Sequence, residues 1–401
     1  MKILQICNKA PYPPIDGGAI AVLNLSEEFA LAKNEVTILA MNTGKHNSDI
    51  KTIPQYYSEK IRFIYVPIDT RISPFKLIWN YFFSSSPYIA VRFYNKKFEV
   101  ELKNLLINGS FDIVQIESLY LLPYIRVIKH YSKAKVVYRA HNIENEIWAR
   151  LALDTKNPIK KFYLTSLSRR IEKFEKKVLN SYDLLVPITQ RDCLNLNNMG
   201  NLKPAYVSPT GISAGKYCKP NSLFKNESLF FIGALDWFPN QEGLTWFIDH
   251  VWKILKISRP ELSFHVAGRN SPNWLRKRCI ENKIEFHGEI ENAQNFFDKY
   301  QIMVVPLFAG SGMRIKIIEA MSRSKAIITT TIGAEGLDIV NKVHAIISDT
   351  PQSFFEEISY LLENNDYFQN LEKNAYELAV NCYSNSKLGM ELINFYTQHV
   401  G

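Results

Sequence analysis

Short apolar runs alternate, from one end of this chain to the other, with stretches in which apolar residues recur every three or four positions. The runs Lys2–Cys7, Glu35–Met41, Arg62–Ile68, Asp112–Ser118, Lys135–His141, Leu184–Thr189 and Ala205–Pro209 read as strands. They are nearly continuous in apolar residues, as strands covered on both faces are. The pattern restarts at Leu229–Ala234 and continues through Leu262–Gly268, Ile284–Gly288, Ile302–Leu307, Ala326–Thr331 and His344–Asp349. Helical spacing appears in Ala19–Lys33, with Ile20, Val22, Leu23, Phe29 and Leu31, and near the end in Pro351–Asn364, Tyr367–Val380 and Ser386–His399. Strand and helix in alternation predict an α/β fold built on parallel sheets.

The most informative stretch is Ile302–Asp338, IMVVPLFAGSGMRIKIIEAMSRSKAIITTTIGAEGLD. It predicts a strand, a small-residue loop over Phe308–Gly312, a helix over Met313–Ser322, a second strand, and a loop carrying Glu335. A glycine-bracketed loop that opens a helix gathers free backbone N–H groups at one point, which favours anions. On a helical wheel Ile315, Ile317, Ile318 and Met321 form one apolar arc, and Arg314 falls within it. A guanidinium in that position needs an anion or must reach past its neighbours to water. Lys316 and Glu319 fall on the other side, three residues apart, where a solvated ion pair competes with ligand binding. Two cations, one carboxylate and free N–H groups are the mixture that phosphate plus sugar hydroxyls call for.

Composition narrows the class. The 401 residues suffice for two domains, each burying its own core, with 46% hydrophobic and 22% charged residues as in soluble globular proteins. No apolar run approaches the roughly 20 residues of a membrane span. MKILQICNKAPYPP is too briefly apolar for a signal peptide and reads as a first strand. Cys7, Cys193, Cys218, Cys279 and Cys382 show no paired spacing, which points to a reduced cytoplasmic setting without a zinc site. The formal charge of +9 admits a phosphorylated substrate, an anionic membrane or nucleic acid. The absence of a recognised base-stacking motif disfavours the last.

Other candidates are local. The proline-rich loop Asn8–Gly18 ends in DGG, where Gly17 and Gly18 allow either a tight helix entry or a close backbone approach to a ligand. His141 ends a strand, in RAHNIENEIW, and the carboxyl ends of parallel strands are where open α/β sheets place ligands. Asn240 is a candidate cap for the helix after Ala234. In the aromatic and basic stretch Pro74–Leu106, Phe75, Trp79, Tyr81, Phe82 and Phe83 are expected in the core. The alternative is an amphipathic surface lying on a bilayer, with Arg92, Lys96 and Lys97 toward anionic lipid. The basic stretch Lys156–Ser181 is expected to be a solvated helix face. There is no GxGxxG or P-loop pattern.

The run GSGMRIKIIEAMSRSKAIITTTIGAEGL resembles the donor-binding segment of the family 4 (group 1) glycosyltransferases. That resemblance implies a GT-B fold: two Rossmann-like domains facing each other across a cleft, with the C-terminal helix crossing back to the first domain. VSPTGI (Val207–Ile212) resembles the family's interdomain linker. The implied domains are 1–210 on the acceptor side, 211–384 on the nucleotide-sugar donor side, and the helix 385–401. The implied activity is retaining transfer of a sugar from a UDP- or GDP-linked donor to a glycan, lipid-linked or small-molecule acceptor, in cell-surface polysaccharide or glycoconjugate synthesis.

Residue by residue, Glu319 matches the glutamate that holds the ribose, while Ser311 stands where the family's first glutamate would be. Gly17 and Gly18 resemble its N-terminal paired glycines, and His141 its His-Asn-x-Glu segment, contacting the donor sugar or reacting centre. After Gly233 the family continues with an arginine, here Ala234, so Arg314 and Lys316 are expected to neutralise the diphosphate. Gly312 and Met313 complete the donor loop, and Glu335 either contacts the donor or braces its own loop. Backbone near Gly288–Ile290 is a candidate for base contacts. No Asp-x-Asp occurs, in keeping with transfer that needs neither metal nor other cofactor. The expected location is the cytoplasm, from the cysteine usage, with peripheral attachment to the inner face of a membrane as the alternative that the aromatic and basic stretches raise. A non-hydrolysing sugar-nucleotide epimerase of the same fold, or a non-catalytic nucleotide-sugar binder, are the alternatives.

Overall fold

A computed structural model describes residues 1–44, 47–84, 86–155, 157–213, 227–310 and 312–400; Ser311, Cys218 and Lys156 lie outside them. The chain divides into two compact units, 1–211 with 385–401, and 212–384. Each is a Rossmann-like layer of six parallel strands with helices between them, so the α/β expectation holds for both.

In the first unit the strands are β1 (Lys2–Cys7), β2 (Glu35–Thr43), β3 (Ile61–Ile68), β4 (Ile113–Ile116), β5 (Lys135–Ala140) and β6 (Leu184–Pro187). They lie in the order β3-β2-β1-β4-β5-β6. The second unit has β7 (Ser228–Ile232), β8 (Ser263–Ala267), β9 (Glu285–Gly288), β10 (Ile302–Val305), β11 (Ala326–Thr329) and β12 (Ile346–Ile347), in the order β12-β11-β10-β7-β8-β9. The central strands are buried along their length, which is why they read as unbroken apolar runs. Each sheet reverses its winding direction once, between β1 and β4 in one unit and between β7 and β10 in the other. Crevices outside the carboxyl ends of such strands are where open α/β sheets take ligands.

The helices that bear on function are α1 (Gly17–Leu31), α2 (Pro74–Phe83), α3 (Glu144–Asp154), α4 (Pro158–Val178), α5 (Phe238–Phe247), α6 (Ile315–Met321), α7 (Asn365–Tyr383) and α8 (Asn385–Thr397). Helix α8 belongs to the first unit, where Leu392 and Tyr396 are buried among Ile3, Phe29 and Val36. The rings of Phe29 and Tyr396 lie 6.0 Å apart. No helix among the described residues is long and apolar enough to cross a membrane.

Four expectations are corrected. Ala205–Pro209 runs beside β6, with Tyr206 N–H bonded to the Leu185 carbonyl and Ser208 N–H to the Pro187 carbonyl, but forms only an isolated bridge, Leu185 to Ala205, because Pro187 has no N–H to complete the ladder. Asn240 sits inside the first turn of α5 rather than capping it, and its Nδ2 donates to the Ala234 carbonyl at 2.8 Å. The aromatic residues Phe75, Trp79, Phe82 and Phe83 are exposed, not core. Tyr81 is half-buried, its hydroxyl bonded to Ser166 Oγ at 3.1 Å. Finally, the basic face of α4 is solvated at Lys160, Lys161, Arg169, Lys173, Lys176 and Lys177, but Arg170 turns inward onto backbone carbonyls of Asn80, Ser84 and Ser86.

Candidate functional site

Both switch points gather the residues that sequence reasoning singled out. In the first unit, a cavity of about 310 Å³ opens at the ends of β1, β4 and β5. Its lining includes Lys9, Asp16, Gly17, Gly18, Glu117, His141 and Glu144. Asp16 caps α1, its Oδ1 accepting the Ala19 N–H at 2.9 Å, so Gly17 and Gly18 form the helix's first turn rather than the end of the loop. The same carboxylate accepts from Lys9 Nζ at 2.6 Å. A Cβ on Gly18 would come within 3.1 Å of that Nζ, so the glycine leaves room for the ion pair at the cavity edge.

His141 follows β5, and its Nε2 lies 2.8 Å from Glu117 Oε2. Glu117 is buried at the end of β4 and anchors a polar network that the sequence reading missed. Gln5 Nε2 donates to its Oε1 at 3.1 Å, Gln115 donates to the same oxygen, and Arg139 Nη1 stands 3.8 Å from Oε2. Tyr396 of α8 donates to Gln115 Oε1 at 2.5 Å, tying the last helix to the cavity floor. Burial works to raise the Glu117 pKa, but the hydrogen bond from His141 and the charge of Arg139 outweigh it, so the carboxyl stays ionised below the usual range. Burial is the largest influence on His141 and lowers its pKa, with Arg139 and Lys9 acting the same way against Glu117. The imidazole is therefore neutral near pH 7. An ionised carboxylate has no proton to give, so Nε2–H donates to Glu117 and Nδ1 keeps its lone pair.

Glu144 also lines this cavity. Burial raises its pKa, opposed by the 2.7 Å bond from the Tyr120 hydroxyl. Behind it, Glu175 of α4 accepts the first N–H groups of α3, from Glu144 at 2.9 Å and Asn145 at 3.1 Å. Burial dominates there too, pushing the Glu175 carboxyl up to about 7.

In the second unit the loop after β10 meets the loop after β7. Gly310 and Gly312 have φ of 120° and 78°, backbone regions open mainly to glycine. They hold the chain out of helical geometry until Ile315, so α6 starts later than the expected Met313. A Cβ on Gly310 would lie 2.9 Å from both the Trp237 ring and Arg314 Nη2, which shows how closely the two loops approach. Arg314 is thus the residue before the helix, with φ −88° and ψ 80°, and not part of its apolar arc. Its Nη1 donates to the Gly312 carbonyl at 2.8 Å, and its guanidinium carbon lies 5.9 Å from the centre of the Trp237 ring. Met313 packs on the apolar cluster under the loop.

Lys316 and Glu319 are half-buried, and their titration is not that of a solvated pair. Burial is the largest influence on Lys316 and brings it down to about 8, helped by the charge of Arg269 and opposed by Glu319. Burial likewise raises the Glu319 carboxyl, against Lys316 and Arg323. Arg269, two residues past β8, is the missed neighbour whose charge bears on Lys316; its carbonyl accepts the Leu235 N–H at 2.9 Å, joining the β7 and β8 loops. An arginine just past a glycine at the end of a buried strand was the signal for it. Glu335 follows a short helical turn, Thr331–Ala334, after β11 and is half-buried.

One trio of metal-type ligands converges among the described residues: His265, Glu285 and His287, at the outer strands β8 and β9. His265 Nδ1 lies 3.2 Å from His287 Nε2 and 3.3 Å from Glu285 Oε2, and the Tyr300 ring stacks on His265 at 3.9 Å. None of the three belongs to either set of candidate residues.

Residues 226–364, which contain the β10–α6 loop, match the family model described as glycosyl transferases group 1. A Klebsiella pneumoniae protein, described as an uncharacterized 44.6 kDa protein in the cps region, is 22% identical over 397 residues, covering 96% of this chain and 97% of that protein. Among solved structures, sucrose-phosphate synthase from Thermosynechococcus elongatus superposes with a TM-score of 0.74 at 13% identity, covering 99% of each chain. HepE from Anabaena in complex with UDP gives 0.69 at 13% identity, over 99% of this chain and 100% of that one. HepE has also been solved with UDP-glucose. At such identities the structures establish a shared GT-B-type architecture of two Rossmann-like domains. Together with the family match, that architecture supports glycosyl transfer.

Proposed function

We propose that this chain is a group 1 glycosyltransferase that moves a sugar from a nucleotide sugar to a glycan, lipid-linked or small-molecule acceptor, with retention of configuration. The observation that carries the reading is the cluster at the β7/β10 switch point: Arg269, Arg314 and Lys316 with Glu319, inside the segment that matches the family. The HepE complexes with UDP and UDP-glucose support a UDP-type donor for this cluster, and the cps-region relative supports a role in polysaccharide synthesis.

Transfer breaks the bond between the anomeric carbon and the donor phosphate oxygen, whose electron pair leaves with the diphosphate. A bond forms from that carbon to an acceptor hydroxyl, and the hydroxyl proton passes to the departing phosphate. Negative charge grows on the leaving group, so fixed cations beside it lower the barrier. Arg314 offers a bidentate fork and Lys316 a point charge for the diphosphate. Glu319 accepts hydrogen bonds from the ribose hydroxyls. Gly233 and Gly312 let backbone approach the donor, and Glu335 braces the loop after β11. In the first unit, the cavity beside Gly17, Gly18 and His141 takes sugar hydroxyls, with His141 Nδ1 as an acceptor held in place by Glu117. These groups give leaving-group stabilisation that needs no metal.

Thermal-shift measurements with UDP, GDP, ADP and their sugars test this directly. One nucleoside diphosphate and a matching sugar are expected to raise the melting temperature by several degrees, as ligands of the native state do. Glycoside must then form only when an acceptor is added. A new epimer from nucleotide sugar alone would identify the epimerase instead, and no shift with any nucleotide would refute donor binding.

A further inference from the structure

Helix α2 is turned inside out. Phe75, Ile78, Trp79, Phe82 and Phe83 follow the i, i+3, i+4, i+7, i+8 spacing that normally faces a core. Here they are 77%, 57%, 59%, 71% and 71% exposed. The face toward the protein is mixed, with Leu77 and Tyr81 half-buried on either side of Asn80. Asn80 is the buried residue, and Arg170 of α4 donates to the carbonyls of Asn80 at 3.1 Å, Ser84 at 2.5 Å and Ser86 at 3.1 Å. Tyr81 adds its bond to Ser166, and the Arg170 guanidinium lies 5.5 Å from its ring centre. These contacts fix the helix by that side, so the aromatic stripe stays outward. The first turn of α4 continues the theme with Ile159 and Phe162, both exposed, beside Tyr163, whose ring is 6.2 Å from that of Tyr81. Monomers rarely expose such a stripe, and where they do it marks a surface for a protein, a ligand or a membrane.

We propose that this surface docks the protein on an anionic lipid bilayer, with α2 lying in the plane of the interface. The charges around the stripe are the argument. The charged residues of 70–98 and 155–171 are all basic, Arg71, Lys76, Arg92, Lys96 and Lys97 in the first and Lys156, Lys160, Lys161, Arg169 and Arg170 in the second; Arg71 and Lys96 pair with the flanking Asp69 and Glu99, and Arg170 is turned inward. Of these, Lys76, Lys160 and Lys161 are exposed next to the apolar residues in sequence. Aromatic side chains that enter the headgroup layer, flanked by cations that meet lipid phosphates, make an interfacial helix. Ten residues span only about 15 Å, too short to cross. A second copy docked through the same face would bring further basic residues to it, whereas lipid phosphates supply the anions these lysines lack. The inference does not depend on glycosyl transfer and can fail separately from it.

Co-sedimentation with phosphatidylglycerol-containing and with pure phosphatidylcholine vesicles tests it. The parent protein is expected to pellet with the anionic vesicles, weakly with the neutral ones, and less as salt is raised. Phe75→Ser/Trp79→Ser/Phe82→Ser, all at exposed positions, should keep its circular dichroism and lose at least about tenfold in binding. Lys160→Glu/Lys161→Glu should lose the preference for anionic lipid. Parent protein that stays in the supernatant, a triple variant that binds as well as the parent, or a parent dimer that the triple substitution converts to monomer would each overturn the proposal.

Discussion

Arg314→Ala lowers turnover by about 100-fold while the protein stays folded, and Lys316→Ala lowers it by less, about tenfold. The ranking follows from chemistry and position. Arg314 stands outside the helix, at a loop crossing held open by Gly310 and Gly312, and can offer two parallel N–H groups to one phosphate. Lys316 is a single charge on the half-buried side of α6, and its pKa is already down to about 8 because burial disfavours the ammonium. The two losses also respond differently to pH. Below pH 8 the parent lysine is charged and its removal is felt in full. Above pH 8 the free parent itself loses that charge, so the Lys316→Ala deficit shrinks while the Arg314→Ala deficit does not. Because the free protein sets this pKa, kcat/KM for the donor from pH 7 to 9 measures it, and equal losses that move together with pH would contradict it.

Glu117→Ala destabilises the first unit by about 3 to 5 kcal/mol, the cost typical of breaking a buried ion pair from one side. Arg139, 1% exposed, would keep the Ala21 carbonyl as a partner at 3.2 Å but lose the carboxylate opposite it. Gln5 Nε2 and His141 Nε2 would lose their acceptor as well. Urea unfolding followed by circular dichroism measures the change; a loss under about 1 kcal/mol would mean that water or relaxation replaces the carboxylate. The network also explains why His141 belongs to the cavity: its ring orientation and tautomer are set by Glu117, which Gln5 and Gln115 hold from behind, Gln115 in turn bonded by Tyr396.

The sheets were readable because buried parallel strands must be apolar along their length, as β4, β7, β10 and β11 are. Ala205–Pro209 has a similar look and lies along β6, but the ladder breaks at Pro187 of β6, which has no N–H, a backbone property that hydropathy does not weigh. The Glu117–His141 pair was half visible. Each residue stands at the end of its strand, but that the two strands are neighbours follows only from the topology. Arg269 reaches the β10–α6 group in the same way, from a strand two places away in the sheet. The stripe on α2 shows the opposite limit. Its spacing announces an amphipathic helix, yet which side turns inward is decided by Arg170, far along the chain. Roles within the donor cluster were suggested by resemblance at Glu319, whereas the half-burial that suits Lys316 and Glu319 to a ligand belongs to the folded loop.

The loop between β10 and α6, with the first turns of α6, is expected to grip a nucleoside diphosphate. Calorimetric titration of the nucleotide selected by thermal shift, into the parent and into Glu319→Ala, tests it most directly. The parent should give a binding isotherm and the variant, at unchanged melting temperature, an affinity about 10- to 100-fold lower, as when a carboxylate's bonds to ribose hydroxyls are removed. Equal affinity in the two proteins, or no binding to the parent, would contradict it.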